Sequence, residues 1–230
     1  MLNKTPIKVL LVDVDNTLID FNKCARIAMS KGFEEHGLEY KEEYFPTFIK
    51  INEGLWKDLE KGIITKAELL RIRWTKVFNA IGVEGDGEAF EHTFLARLRE
   101  CGEPVDGAHE LLKYLDGKYQ MYVASNAPYD QQASRLRNAG MLGYFKDLFI
   151  SERIGHQKPT VEFFEAVFRQ LEGVTKEEVV LIGDSLSADI TGGERYGIKT
   201  IWFNYKKESL PAHLHPTYVV DDLLEIKNIL

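Results

Sequence analysis

The sequence is poor in cysteine, with only Cys24 and Cys101, and it has no run of Lys and Arg, no long apolar stretch, no internal repeat and no low-complexity tract. Two thiols this far apart, without metal-type spacing, read as reduced cysteines of a cytosolic protein, with a disulfide as the alternative. A formal net charge of -7 with no basic cluster argues against a binder of nucleic acid polymers or anionic membranes. An anionic small substrate stays compatible with that charge, because one metal ion and one lysine reverse the local field. The N-terminal apolar run is broken at once by Asp13 and Asp15, so it is expected to be a buried strand, neither a signal peptide nor a membrane span. The expected setting is cytoplasmic.

What is present is the composition of an ordinary soluble domain: 230 residues, 44% hydrophobic and 28% charged. That length suits one domain, or one domain carrying an insert. Ile7 to Val12 is an apolar, β-branched run ending in an acidic turn, as a strand of a parallel sheet would. From about Asn22 to Glu100 apolar residues recur at helical spacing (Leu69, Ile72, Val77, Phe78, Ile81), with breaks near Gly37, Gly62 and Gly82 to Gly87. After Pro104 helices and strands alternate. Helices are expected at Ala108 to Leu115, Asp130 to Ala139, Val161 to Leu171 and Ala188 to Tyr196, and strands at Tyr119 to Ala124, Leu148 to Ile150, Glu178 to Ile182 and Lys199 to Phe203. A short strand near Tyr218 and a helix from Asp222 close the chain. One strand, a helical block and then βαβ alternation predict an α/β protein, a doubly wound parallel sheet of residues 1–20 and 101–230 with an all-helical domain of residues 21–100 inserted after the first strand.

Open parallel sheets bind ligands beyond the carboxyl ends of their strands. Four segments fall there: Asp13-Val14-Asp15-Asn16-Thr17, Ser125-Asn126, Gly155-His156-Gln157-Lys158-Pro159, and Gly183-Asp184-Ser185 with Asp189 five residues past Asp184. Singly, each has an ordinary structural reading: an Asx turn, a strand-end turn, a lysine before a helix with proline in its first turn, a helix cap. Four such accidents in this order, each at a strand end or adjoining loop, are improbable together.

The ordered set resembles the four motifs of the haloacid dehalogenase superfamily, over the whole chain, with room for its helical cap. The resemblance implies Asp13 as nucleophile and Asp15 as general acid and base, with Thr17 supporting the turn between them. Thr17, Ser125, Asn126 and Lys158 become the substrate-binding set, Lys158 offsetting charge on Asp13 and on the transferring phosphoryl group. Mg²⁺ would be held by Asp13, Asp184 and the Asp15 carbonyl, and Asp189 would orient Lys158 or a metal-bound water. His156 and Gln157 receive no role. The chemistry is coherent, because a carboxylate can attack a phosphate monoester dianion only where a cation and a lysine neutralise the approach. Clustering with other carboxylates would favour the protonated form of Asp15 at the start.

In the helical block, Asn52 to Thr65 with Arg73 resembles the cap of bacterial 5′-nucleotidases acting on pyrimidine and noncanonical nucleoside monophosphates. That resemblance implies a nucleoside monophosphate, with the cap above the rim reading the leaving group. Trp56, Trp74 and Phe78 stand at helical spacing, which packing explains as well as a base-stacking platform does. Competing readings are a phosphosugar or small-metabolite phosphatase, a phosphosugar mutase, a haloacid dehalogenase, which needs neither Asp15 nor magnesium, and a non-enzymatic phospholigand-binding domain, which would be expected to have lost one of Asp13, Asp15, Lys158 or Asp184.

Overall fold

The computed structural model describes residues 6–230. By packing the chain forms two compact units, Met1–Phe21 with Gly102–Leu230 and, inserted between them, Asn22–Cys101.

The first unit is built on six parallel strands, β1 (Val9–Val12), β2 (Gln120–Ser125), β3 (Asp147–Ile150), β4 (Val179–Gly183), β5 (Lys199–Phe203) and β6 (Tyr218–Val220), in the order β3-β2-β1-β4-β5-β6. β1 is central and all four of its residues, Val-Leu-Leu-Val, are buried, as a strand covered on both faces requires. Alternation sends Val9 and Leu11 into one core with Val179 and Leu181 of β4, closed by Phe163, Phe164 and Val167 of one helix and by Tyr196. Winding runs outward from β1 through β2 to β3, then returns to β4 on the other side of β1. The reversal leaves a crevice at the carboxyl ends of β1 and β4, where this topology binds ligands.

Helices of this unit are α5 (Ala108–Leu115), α6 (Tyr129–Asn138), α7 (Ser151–Ile154), α8 (Val161–Phe168) and α9 (Thr191–Tyr196). Two differ from the sequence expectation. α7 is a single turn that has no periodicity to announce it. The helix expected from Ala188 begins instead as a π-type turn, Leu186–Ile190, capped by Ser185, and becomes α-helical at Thr191. The closing helix expected from Asp222 is a 3₁₀ helix, Leu223–Asn228, started by an Asp222–Glu225 capping box.

The inserted unit contains four helices, α1 (Phe21–Glu35, whose first residue belongs to the other unit), α2 (Tyr44–Glu60), α3 (Lys66–Ile81) and α4 (Gly87–Glu100). Their ends follow local chemistry: a Thr65–Glu68 capping box opens α3, Gly82 closes it at φ 69°, and the Asp86 carboxylate accepts from the amides of Glu88 and Ala89 to open α4. The core is aromatic. The Trp74 ring lies 4.3 Å from Phe90, 5.1 Å from Phe94 and 5.2 Å from Phe48, with Phe33 and Phe78 completing the cluster. Trp74 and Phe78 are therefore interior residues of this unit, and the reading of them as a base-stacking platform is replaced by packing. Trp56 is half-buried against Leu55, Leu59 and Leu69.

Asn52 and Arg73 are likewise internal. The buried Arg73 guanidinium donates Nη1 to Asn52 Oδ1 at 2.8 Å, Nε to Glu91 Oε2 at 3.1 Å and Nη2 to Glu91 Oε1 at 2.5 Å, tying α2, α3 and α4 together. Burial pushes the Glu91 carboxyl up, against the pull of Arg73. Two of the residues that carry the nucleotidase resemblance thus hold the helical unit in register.

Candidate active site

β1 delivers Asp13 to the crevice. Its amide donates to the Ile182 carbonyl of β4 at 2.9 Å, extending the β1–β4 ladder one residue past the strand. The chain then turns sharply. Asn16 takes a left-handed backbone, φ 59°, which Asn tolerates better than most residues. Its amide donates to the Ile19 carbonyl at 2.7 Å and its Oδ1 accepts from the Phe21 amide at 3.1 Å. Thr17 lies inside this turn, fully buried, its amide donating to the Val14 carbonyl at 3.3 Å and its Oγ1 without a hydrogen-bond partner among the described residues.

Lys158 reaches Asp13 from the loop before α8. The side chain of Asn126, just past β2, fixes that loop: its Nδ2 donates to the Lys158 carbonyl and its Oδ1 accepts from the Lys158 amide, both at 2.9 Å. The ammonium of Lys158, 1% exposed, donates to Asp13 Oδ1 at 2.8 Å, to Asp189 Oδ1 at 2.6 Å and to the Ala124 carbonyl at 2.5 Å. An ammonium has three protons, and all three are placed. Burial alone would push Lys158 down, but the two carboxylates outweigh it and hold the lysine charged, above its ordinary range.

Asp184 follows β4, and Trp202 of β5 anchors it by donating Nε1 to the Asp184 carbonyl at 2.9 Å. Asp189 is fully buried on the π-type turn, with Oδ1 on Lys158 and Oδ2 accepting from the Ser185 amide at 3.1 Å. Asp13, Asp184 and Asp189 each offer a carboxylate oxygen within 4.8 Å of the others. Burial, then Asp189 and Asp15 against the pull of Lys158, pushes Asp13 up to about 7. Burial, then Asp13 and Asp189, pushes Asp184 well up, with Lys206 opposing. Lys158 supplies one positive charge to Asp13 and Asp189 together, so the three carboxylates stay short of positive charge, and Asp13 and Asp184 offer a hard-oxygen pair. That donor set fits Mg²⁺, which favours oxygen ligands and is typically held by one or two carboxylates.

Asp15 has partners that no strand end announced. Its carboxylate is held by two side chains of α6: Arg135 Nη1 donates to Oδ1, and Gln132 Nε2 donates to Oδ2 at 2.6 Å. Gln132 and Arg135 were invisible as site residues in the sequence because they sit mid-helix, away from any strand end. The one signal was a pair of long polar side chains three residues apart on an otherwise core-facing stripe, and both are fully buried. Ser125 ends β2, 2% exposed, and its Oγ accepts from Gln132 Nε2 at 3.0 Å and from the Ala127 amide at 3.3 Å.

Gly183 explains itself by space: a Cβ there would collide with the Asp189 carboxylate. Gly183→Ala is expected to leave the sheet folded but push Asp189 off Lys158, lowering kcat by about 10- to 100-fold, because small misplacements of catalytic groups cost that much. Kinetics together with a thermal melt check it; unchanged kcat would show that Asp189 is free to move.

The family model described as haloacid dehalogenase-like hydrolase matches residues 7–197. The chain is 38% identical over 229 residues to the pyrimidine 5′-nucleotidase PynA of Streptococcus pneumoniae, covering 97% of each chain. It is 28% identical to the pyrimidine 5′-nucleotidase YjjG of Escherichia coli, covering 96% of each. Among solved structures, the putative HAD-hydrolase YfnB of Bacillus subtilis, determined bound to magnesium, superposes with a TM-score of 0.93 at 34% identity, over 98% of this chain and 99% of that one. Among the described residues no helix is long and apolar enough to cross a membrane.

Proposed function

This chain belongs to the haloacid dehalogenase-like hydrolase family and is a phosphoric monoester hydrolase, and within that class we propose a Mg²⁺-dependent phosphatase that works through a phosphorylated Asp13 and acts on pyrimidine nucleoside 5′-monophosphates. The observation that carries the reading is the buried Lys158 ammonium on Asp13 and Asp189 with the Asp184 carboxylate beside them.

Asp13 and Asp184 are the side chains that would hold the ion, which supplies positive charge against the phosphoryl oxygens and the attacking carboxylate. Lys158, its protons already placed, acts mainly as a fixed charge that makes the approach of an anionic ester to Asp13 tolerable. An Asp13 oxygen attacks phosphorus, the ester P–O bond breaks, and the departing oxygen takes a proton from Asp15 to leave as the alcohol. Water then attacks the same phosphorus and gives a proton to Asp15; the bond to Asp13 breaks, phosphate is released and the Asp13 carboxylate is regenerated. Asn126 holds the Lys158 loop, and the Ser125 hydroxyl and rim amides take phosphoryl oxygens.

Substrate class rests on different support: two relatives over nearly the whole chain are pyrimidine 5′-nucleotidases. The core groups see only the phosphoryl shared by all monoesters, so choice among leaving groups must come from groups outside the four rim segments. A panel of monoesters with and without Mg²⁺ tests both parts. Higher kcat/KM for dUMP, UMP and dTMP than for hexose or two- and three-carbon phosphates is expected, with turnover abolished by excess chelator. Equal efficiency on sugar phosphates removes the nucleotidase assignment; full activity in chelator removes the metal.

A further inference from the structure

Gln132 is fully buried at the foot of the site yet spends its amide on two different site groups. Its Nε2 lies 2.6 Å from Asp15 Oδ2 and 3.0 Å from Ser125 Oγ, while its Oε1 faces Arg135 Nη1 at 3.4 Å. Chemistry fixes this orientation of the amide: turned over, its oxygen would meet the Asp15 carboxylate and its nitrogen the guanidinium, acceptor against acceptor and donor against donor. Both Nε2 protons are therefore directed, one to each partner.

The consequence reaches Ser125. A hydroxyl has two acceptor positions and one proton. Gln132 Nε2 and the Ala127 amide occupy the acceptor side. The proton is left to be donated, and a phosphoryl oxygen can only accept. We propose that Gln132 is a positioning residue that fixes Asp15 for proton exchange with the leaving oxygen and, through the same nitrogen, sets Ser125 as an obligate donor to the phosphoryl group. Arg135, three residues along α6, holds the other oxygen of Asp15, so the carboxylate cannot rotate about its own axis without losing one of two buried partners. The two functions, gripping phosphate and protonating the alcohol, are set by one side chain. The inference rests on the phosphatase reading and adds to it a residue outside the four rim segments.

The test uses the full chain with Mg²⁺ and two esters: p-nitrophenyl phosphate, whose leaving group departs without a proton, and dUMP, an unactivated alkyl ester. kcat/KM is compared, since it reports the steps up to release of the first product. Gln132→Met keeps the volume and removes both hydrogen bonds. It is expected to lower kcat/KM on dUMP by about 100-fold or more, the usual worth of general acid catalysis, and on p-nitrophenyl phosphate by no more than about 10-fold, the worth of one neutral hydrogen bond. In a Ser125→Ala background the smaller loss should disappear while the loss specific to dUMP persists. Equal losses on both esters, as a merely structural role would give, overturn the proposal, as does no loss. If Gln132→Met melts below the assay temperature, Gln132→Asn, whose amide is one methylene too short to reach both partners, must show the same discrimination. Asp13→Asn assayed alongside separates the two levels: if it is as active as the native enzyme, the phosphatase mechanism itself fails; if it is inactive while the Gln132 variants do not discriminate, only this inference fails.

Discussion

Asp13→Asn is expected to lower turnover by at least about four orders of magnitude, the scale on which loss of a nucleophile acts, while the protein stays folded. The amide oxygen of Asn can still accept from Lys158, so the bond now made at 2.8 Å has a replacement and the lysine keeps Asp189 and the Ala124 carbonyl. What is lost is the anionic oxygen that attacks phosphorus. A second readout makes the case independent of activity. Asp13 is pushed from 3.8 to about 7 by burial and by its carboxylate neighbours, so the folded state holds a proton that the unfolded chain has released. In chelator, its contribution to stability is complete below about pH 4 and is lost as pH rises through about 7. Thermal melts from pH 4 to 8 should show that decline in the native protein and a shallower one in Asp13→Asn. Residual turnover near the native rate would refute the role of Asp13, and parallel pH profiles would show that the strain of the carboxylate cluster lies elsewhere.

Glu91→Ala is expected to be the most damaging single change in the helical unit. It strips the Arg73 guanidinium of its bidentate partner and leaves a buried charge held by the Asn52 side chain and the face of Phe94. Breaking such a pair costs about 3–5 kcal/mol, a large share of the total stability of most domains. The same reasoning predicts a rescue. Replacing both partners, Arg73→Met with Glu91→Leu, removes the charge as well as its counter-ion and should recover most of the loss, since apolar replacement of a buried pair is often neutral or better. Urea denaturation of the two variants beside the native chain decides it. A cost below about 1 kcal/mol for Glu91→Ala would mean that water reaches Arg73 and that the ion pair behaves as a surface pair.

These predictions draw on different layers of information. The sequence by itself determined the sheet, because a strand buried on both faces must be a continuous apolar run and the alternation after Pro104 admits only crossover connections between parallel strands. It also determined where to look, because strand ends in such a sheet share one rim, and so Asp13, Ser125, Asn126, Lys158, Asp184 and Asp189 could be named before any distance was known. The breaks of the inserted unit near Gly37, Gly62 and Gly82 were equally legible, since left-handed glycines act within a few residues of chain. Only the tertiary structure decided which partner each polar group takes. It spent the three protons of Lys158 on Asp13, Asp189 and Ala124, turned the side chain of Asn126 to the Lys158 loop, and drew Arg73 and Asn52 into the interior with Glu91. It brought Gln132 and Arg135 to Asp15 across more than a hundred residues of sequence. The reason is physical: periodicity and capping are short-range and leave a trace in neighbouring residues, whereas the pairing of buried polar groups depends on distances between segments remote in the chain, which no local pattern encodes.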